Sequence, residues 1–438
     1  MAPERPAVSL DTLDITDTSL YVQNGYPWEA WDLLRAKAPV FWYERPGFEP
    51  FWAITKHEDV AFISHHPELF SNRQRLRLSD IEGIEIGQRS RQRSAAKYGH
   101  ALDDPPDLVF MDPPQHRTFR GFVNRSFTPR TMEEMEPHFD DLSKGYVAHF
   151  GKVLAERFPR GETVDFVHEL ACKLPVAAIC EMADVPRDDW DKIFRWTEVL
   201  VGAGDPEYQL PGESREQALR RVDKEWDAYT NWMIDRRIED GAQGPDLVSL
   251  LVRARYKGEP LTRRELLSYI NLLLAAGNET TRNAMTGGVK ALLDHPDQLE
   301  LLVKRPELVD SAVEEILRWT SIIIQFARTA TQDVEIRGTT IRAGQTVGMF
   351  YPSANRDEDV FADPYAFDIT RDPNPHFTFG GYGEHFCLGA NLARWELKVM
   401  FREMLPLLPK MELAGKPELV AQSLHVGGIK RLPVRLNG

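Results

Sequence analysis

Cysteine is scarce in this chain: only Cys172, Cys180 and Cys387 occur among 438 residues. Three thiols build no disulfide framework, and Cys387 has no second cysteine within zinc-ligand spacing. Long apolar runs are missing too. No uninterrupted stretch of about 18 apolar residues occurs, so no membrane span is expected. No charged-then-apolar leader opens the chain, and a soluble, cytoplasmic protein is expected. Positive charge is in deficit, with 53 Lys and Arg against 67 Asp and Glu, a net charge of −14. That balance argues against nucleic acid as the main partner. Internal repeats, low-complexity tracts and Gly/Ser linkers are absent, so one unit spanning 1–438 is expected. What is present is apolar material, 42% of the residues, enough to bury a large core. Any fatty partner must then arrive as a ligand.

The pattern along the chain is mostly helical. "PFWAITKHEDV" reads as a strand running into a helix. Residues 77–110 are polar, carry Gly83, Gly87, Gly99 and paired prolines, and read as a long loop. Its basic run, Arg89, Arg91, Arg93 and Lys97, reads as a solvated face of that loop. Helical periodicity returns at Gln115–Arg125 and dominates to Trp319. Strand signals cluster in "ATQDVEIRGTTIRAGQTVGMFYPSA", with turns at Gly338 and Gly344. The expected class is mainly α with a minor β portion.

One helix stands out. Thr262 and Glu265 form a capping box, and no proline follows until Pro296. A helix of that length spans about 48 Å, enough to cross a domain. Its middle, "LLLAAGNETTRNA", breaks the local rules. Gly277 costs roughly 1 kcal/mol against alanine, and four polar residues, Asn278 to Thr281, follow it. Ala276, Gly277 and Thr280 share one face of little bulk with one hydroxyl. Two readings stay open: close packing against a neighbour, with Thr280 bonding back to its own carbonyls, or a notch beside which a diatomic ligand is held.

The stretch "FTFGGYGEHFCLGANLARWE" places Cys387 in a loop with Gly380, Gly381, Gly383 and Gly389, just before a helix. Glycines let backbone N–H groups turn inward as an anion-binding concavity, and the helix start adds positive dipole. Both favour a thiolate. Such a thiolate serves as a nucleophile, with His385 beside it, or as a ligand to haem iron.

This loop resembles the haem-binding signature of the cytochrome P450 family, F-x-x-G-x-x-x-C-x-G, and four more segments agree in the family's order. "MDPPQHRTFR" resembles its C-helix entry and implies that His116 and Arg120 reach the haem propionates. "AAGNETT" is similar to the I-helix pattern A-G-x-x-T. "EILR", Glu315 to Arg318, matches the K-helix E-x-x-R. "FARTATQD" places Arg328 where the family has another propionate-binding arginine, and His385 becomes a propionate donor. The fold implied is that of a cytochrome P450: a long central I helix over a haem, with the Cys387 loop and L helix on the other side. Two departures stand out. Gly380 occupies the usual phenylalanine position, so Phe379 is expected to shield the sulfur edge through one extra loop residue, Gly381 following it. The third partner of the Glu315–Arg318 pair falls at Ala366, so it is missing or supplied elsewhere.

The resemblance implies a monooxygenase with haem b, ligated by Cys387, that inserts one oxygen atom from O2 into a C–H bond. Thr280 would hold bound oxygen and Glu279 would feed protons through water. Glu279 lies about 100° around the helix, so a relay or a swing is needed. Electrons would come from an external ferredoxin and its reductase, docking where Arg117, Arg120, Arg125 and Arg394 form a basic patch. A monomer is expected. The motifs resemble most the bacterial branch that oxidises sterol side chains and methyl-branched lipids. Trp196, Val199, Leu200, Ile322, Ile323, Ile324 and Leu424 fall where the family meets substrate. Two rival functions are a non-catalytic haem sensor and a thiol hydrolase using Cys387 and His385.

Overall fold

The computed structural model describes residues 8–420 and 423–437. Six helices and one sheet position the site: α1 (Gln115–Gly121), α2 (Trp190–Gly202), α3 (Arg215–Glu239), α4 (Arg263–Asp294), α5 (Val309–Thr320) and α6 (Ala390–Met404). The 32-residue α4 begins where the sequence predicts. The Thr262 N–H donates to the Glu265 carboxylate at 2.7 Å, and the Glu265 N–H returns to the Thr262 hydroxyl at 3.2 Å. It runs through the main core and packs against α2, α3, α5 and α6. A helix buried on several sides needs apolar residues on several sides, which Leu266, Leu267, Ile270, Leu273 and Leu274 provide.

The five-stranded sheet comprises β1 (Val40–Tyr43), β2 (Phe51–Ile54), β3 (Phe70–Ser71), β4 (Gln325–Ala330) and β5 (Thr346–Phe350). Its order is β1-β2-β5-β4-β3. β5 pairs in parallel with β2 and antiparallel with β4, so Gly348 stands between Ala53 and Ala327. The small residues make room for Leu78, whose side chain lies over Gly348.

Residues 77–110 depart from the loop expectation. They contain an 18-residue helix, Ile81–Tyr98, capped by Asp80 and stopped by Gly99 in the left-handed region. The helix was hidden because its contacts with α3 are ion pairs at the surface instead of an apolar stripe, and only Ile86 of it is buried. Arg89 and Arg93 pair with Glu216, and Lys97 pairs with Asp227, both on α3. Arg91 lies over the Phe110 ring. The basic run is therefore a helix-to-helix seam.

The third partner of Glu315 and Arg318, expected to be missing or supplied elsewhere, is supplied from elsewhere. Both side chains are fully buried. All five N–H donors of Arg318 are placed, two on Glu315 and three on the carbonyls of Asn355, Pro364 and Ala366. Glu315 also accepts from the Asp368 N–H and from Asn374. The third ionic partner is Arg371, 3.3 Å away. Position 366 takes part only through its carbonyl.

Removing one partner of a buried pair strands the other charge. Arg318→Met is expected to cost about 3–5 kcal/mol. Arg371→Ala leaves Glu315 otherwise satisfied and is expected to cost about 1–2 kcal/mol. Denaturant unfolding of the two variants checks the ranking.

Candidate active site

Cys387 is held by a loop that folds back on itself. Its N–H donates to the Phe379 carbonyl, and the Phe386 N–H donates to the Gly383 carbonyl, both at 2.9 Å. Gly380 has φ 93°, a conformation glycine adopts without penalty. Gly381 and Gly383 answer a different need from the one the sequence suggests. They lie on the end of helix His57–His65, where added Cβ atoms would meet the Ser64 side chain and carbonyl. The Gly389 N–H, at the start of α6, bonds the thiol. Arg394 lies 4.5 Å from the centre of the buried Phe379 ring.

Cys387 is accessible to solvent, yet burial pushes its thiol up from the ordinary value. An accessible atom deep in the protein faces an internal hollow. The Gly389 N–H and the charges of Arg120 and Arg394 offset burial only in part. The expected bias toward a thiolate is thus reversed in the chain by itself. A metal ion coordinated by Cys387 would remove that proton outright. Cys172 and Cys180 are buried, and burial drives Cys172 up to about 11 and Cys180 higher still.

Four cationic or imidazole side chains close on the same hollow. His116 and Arg120 come from α1, Arg328 from β4 and His385 from the cysteine loop. The His116 and His385 rings are 4.0 Å apart. His385 Nε2 is buried with no hydrogen-bond partner. Burial, helped by Arg328, His116 and Arg120, pushes His385 down to about 2. Among the described residues Arg328 bonds only the neighbouring Ala327 carbonyl, at 2.7 Å, and burial lowers its pKa. Arg120 makes no side-chain hydrogen bond among the described residues, and burial lowers it as well. The nearby carboxylates are engaged: Glu384 accepts from Arg117 at 2.9 Å and lies 3.4 Å from His116 Nδ1, and Asp112 accepts from the Ser71 hydroxyl and the Asn72 N–H. Arg120, Arg328 and His385 Nε2, which no carboxylate engages among the described residues, fit a group carrying two carboxylates, and with Cys387 alongside they fit a haem. No hydrogen bond joins His385 to Cys387 among the described residues, so the pairing a thiol hydrolase needs is not formed.

The opposite wall belongs to α4. Ala276 is exposed in the middle of this buried helix and Thr280 is half-buried, so both face the hollow. Thr280 Oγ1 donates to the Ala276 carbonyl at 2.9 Å. Gly277 has a packing role as well: a Cβ there would stand 3.3 Å from Ile179. Glu279 turns away. It is buried, paired with Arg282, and accepts from the Thr197 hydroxyl at 3.4 Å. Arg282 Nη1 lies 3.7 Å from Glu198 on α2. Arg282, Thr197 and Glu198 escaped the sequence reading. The opposite charges of Glu279 and Arg282 at i, i+3 were the available signal.

The apolar residues expected to meet substrate divide. Trp196 stacks on Trp226, with centroids 5.6 Å apart, and Ile324 and Leu424 belong to the small core beside the sheet. Val199 and Ile322 are buried in the main core. Leu200 and Ile323 are half-buried. The expected basic docking face is also thinner than its sequence. Arg120 turns to the hollow, Arg117 pairs with Glu384 and Arg394 with Glu314. Arg125 is exposed without an ion pair among the described residues.

Comparison with known proteins agrees with this geometry. A sequence model of the family described as Cytochrome P450 matches residues 42–407. The chain is 39% identical to a methyl-branched lipid omega-hydroxylase of Mycobacterium tuberculosis (strain ATCC 25618 / H37Rv), covering 99% of this chain and 96% of that protein. It is 36% identical to a steroid C26-monooxygenase of Mycolicibacterium smegmatis, with 97% and 94% covered. A Mycobacterium marinum cytochrome P450 solved in complex with pseudoionone superposes with TM-score 0.85 at 31% identity, covering 99% of this chain and 100% of that one.

Glu198 gives the cluster a titration near neutrality. Burial pushes it up to about 7; Arg282 opposes the shift, and Glu279 and Glu207 add to it. A carboxyl whose folded pKa lies above its unfolded value keeps its proton in the folded state, so its contribution to stability is lost as pH rises from about 4.5 to 7. Glu198→Gln is expected to flatten that loss and to gain about 2 °C on wild type at pH 7.5 relative to pH 5.5. Thermal unfolding across this pH range measures it.

Proposed function

The chain belongs to the cytochrome P450 family, and from that premise we propose that it is a haem-thiolate monooxygenase holding haem b and acting on a hydrophobic lipid: a sterol, a terpenoid or a branched fatty acid. The observation that carries the reading is Cys387, an accessible sulfur near Arg120, Arg328 and His385, whose donors no carboxylate engages among the described residues. The relatives named as lipid and steroid hydroxylases support the substrate class.

In this reading Cys387 Sγ is the iron ligand, and Arg120, Arg328, His116 and His385 hold the two propionates. Phe379 and the Arg394 above it exclude water from the sulfur side. The bound haem supplies oxygen activation and C–H oxidation, which no side chain here performs alone. Thr280 Oγ1 holds a proton at the wall of the hollow, and to use it the hydroxyl leaves the Ala276 carbonyl. Glu279 stands behind as the titratable store, and burial raises its pKa. Its carboxyl reaches Thr280 through water only after parting from Arg282. Glu198 eases that parting, because it offers Arg282 a second carboxylate. Electrons come from a ferredoxin and its reductase, and the protein works in the cytoplasm as a monomer with 1–438 as one domain.

The first test is optical. The reduced, CO-treated protein is expected to give the thiolate-type spectrum and Cys387→Ser to lose it. Retention in the variant would move the ligand to another residue.

The second concerns coupling. Thr280→Ala removes the hydroxyl that delivers the proton, so NAD(P)H is still consumed and hydrogen peroxide replaces product. Glu279→Gln removes the store, so turnover falls on the order of 10²-fold while product per NAD(P)H is largely kept. Product, peroxide and NAD(P)H are assayed together in a reconstituted system. A fully coupled Thr280→Ala would pass the role to Thr281 or solvent.

A further inference from the structure

Two glutamates stand side by side on α5. Glu315 belongs to the buried pair with Arg318, whereas Glu314 is half-buried and turns to the cysteine loop and α6. Its carboxylate accepts a fork from Arg394, from Nε at 2.7 Å and from Nη2 at 2.9 Å. It also lies 3.1 Å from His376 Nε2. His376 Nδ1 accepts from the Thr378 N–H at 3.3 Å, which leaves the ring proton on Nε2 to donate to Glu314. Glu314 is thereby held ionised: burial raises its pKa, and the bonds and charges of His376 and Arg394 bring it down to about 2.

Arg394 carries the pair toward the sulfur. Its guanidinium lies 4.5 Å from the centre of the Phe379 ring, and the Phe379 carbonyl accepts the Cys387 N–H at 2.9 Å. Two cations favour the thiolate at Cys387, Arg120 and Arg394. Arg120 acts unpaired among the described residues. Arg394 acts through a bidentate ion pair, the strongest geometry open to a guanidinium, so Glu314 cancels much of its charge at close range.

Position alone does not call for this pair. The same stretch of loop is already fixed to α5 and its neighbours: the Phe377 N–H donates to Asn355 at 2.7 Å, and the Thr378 hydroxyl donates to the Leu317 carbonyl at 2.8 Å. The electron donation of an axial sulfur follows the charges and hydrogen bonds around it, and Glu314 governs one of those charges.

We propose that Glu314 sets the reduction potential of the haem site by holding Arg394 against Phe379 and cancelling its charge beside Cys387. Glu314 is a positioning residue, since it acts through Arg394 and does not touch the sulfur. This deepens the monooxygenase reading and rests on it. An uncancelled cation beside the sulfur favours the reduced, more negative site, and an uncancelled carboxylate disfavours it. One electron passes from the reductant to the iron, and no side chain changes its oxidation state.

The test is a spectroelectrochemical titration of the haem-loaded full chain at pH 8, with dithionite as reductant and ferricyanide as oxidant. His376 is neutral there, because burial lowers its pKa. Glu314→Gln keeps the shape of the side chain and removes its charge. It is expected to favour the reduced state about tenfold, a rise of about 59 mV for one electron. Arg394→Gln strands Glu314 and is expected to lower the potential. The double variant is expected to return close to wild type.

A loop merely loosened by either change would shift both single variants the same way. Unmoved potentials, shifts of one sign in both, or a double variant far from wild type therefore overturn the proposal. Should one single variant not take up haem, the sign of the other and the double variant decide. Loss of haem by both single variants makes the pair structural and overturns it as well. The CO spectrum separates the two levels: its absence in wild type sinks the monooxygenase reading, whereas its presence with unmoved potentials sinks only the role of Glu314.

Discussion

The cysteine loop hangs from the buried Glu315–Arg318 pair. An ion pair taken wholly out of water gains little net stability, because desolvation cancels much of the attraction. Its value here is geometric. Arg318 binds three carbonyls between residues 355 and 366, and Glu315 binds an N–H at 368 and side chains at 371 and 374. One turn of α5 thus fixes the whole irregular segment that leads into Phe377. The next contacts continue the fixation. The Asn355 side chain accepts from the Phe377 N–H, Thr378 donates to the Leu317 carbonyl, and Glu314 ties His376 to Arg394 of α6. A loop with no regular secondary structure is thereby held as firmly as a strand, and Cys387 inherits its position.

The hollow opposite is built on an imbalance of charge. The protein as a whole is acidic, yet its interior gathers Arg120, Arg328, His116 and His385 on one side of the site, where the carboxylates of Glu384 and Asp112 are largely engaged by other groups. Burial lowers both arginines and both histidines. The imidazoles answer by staying neutral, whereas arginine cannot shed its proton in a protein. The strain therefore rests on the two guanidiniums, and under the proposed function an anionic cofactor would relieve it, so that its binding would stabilise the folded chain.

Much of this was readable in the chain. The capping box at Thr262, the glycine-rich approach to Cys387 and the order of the five motifs are local signals, and local signals survive in a sequence. The helix Ile81–Tyr98 was unreadable because periodicity looks for apolar stripes, and this one is held to α3 by ion pairs. Arg371 was unreadable for a different reason. Irregular backbone between positions 366 and 371 lets a residue five places on reach the same carboxylate, and no spacing rule predicts that. Gly383 was read as a donor of N–H groups when its need is to let the loop touch Ser64.

The central helix has to reconcile two demands, and Glu279 shows how. A carboxylate in the middle of a buried helix is tolerated only with a counter-ion, which Arg282 supplies from the next turn. The same pairing turns Glu279 away from the hollow that Thr280 faces. An acid so held is stable but idle, and an acid free to swing would leave Arg282 stranded. Glu198 resolves the conflict from a second helix. Two carboxyl groups stand against one guanidinium, and burial raises the pKa of both, so the pair is disfavoured as two full charges. Because Glu198 belongs to α2 and Glu279 to α4, this arrangement depends on how closely those helices approach. Val199 and Leu200, two of the residues expected to meet substrate, sit next to Glu198 on α2. Under the proposed function, a ligand that pressed on Val199 or Leu200 would act on the helix that carries Glu198.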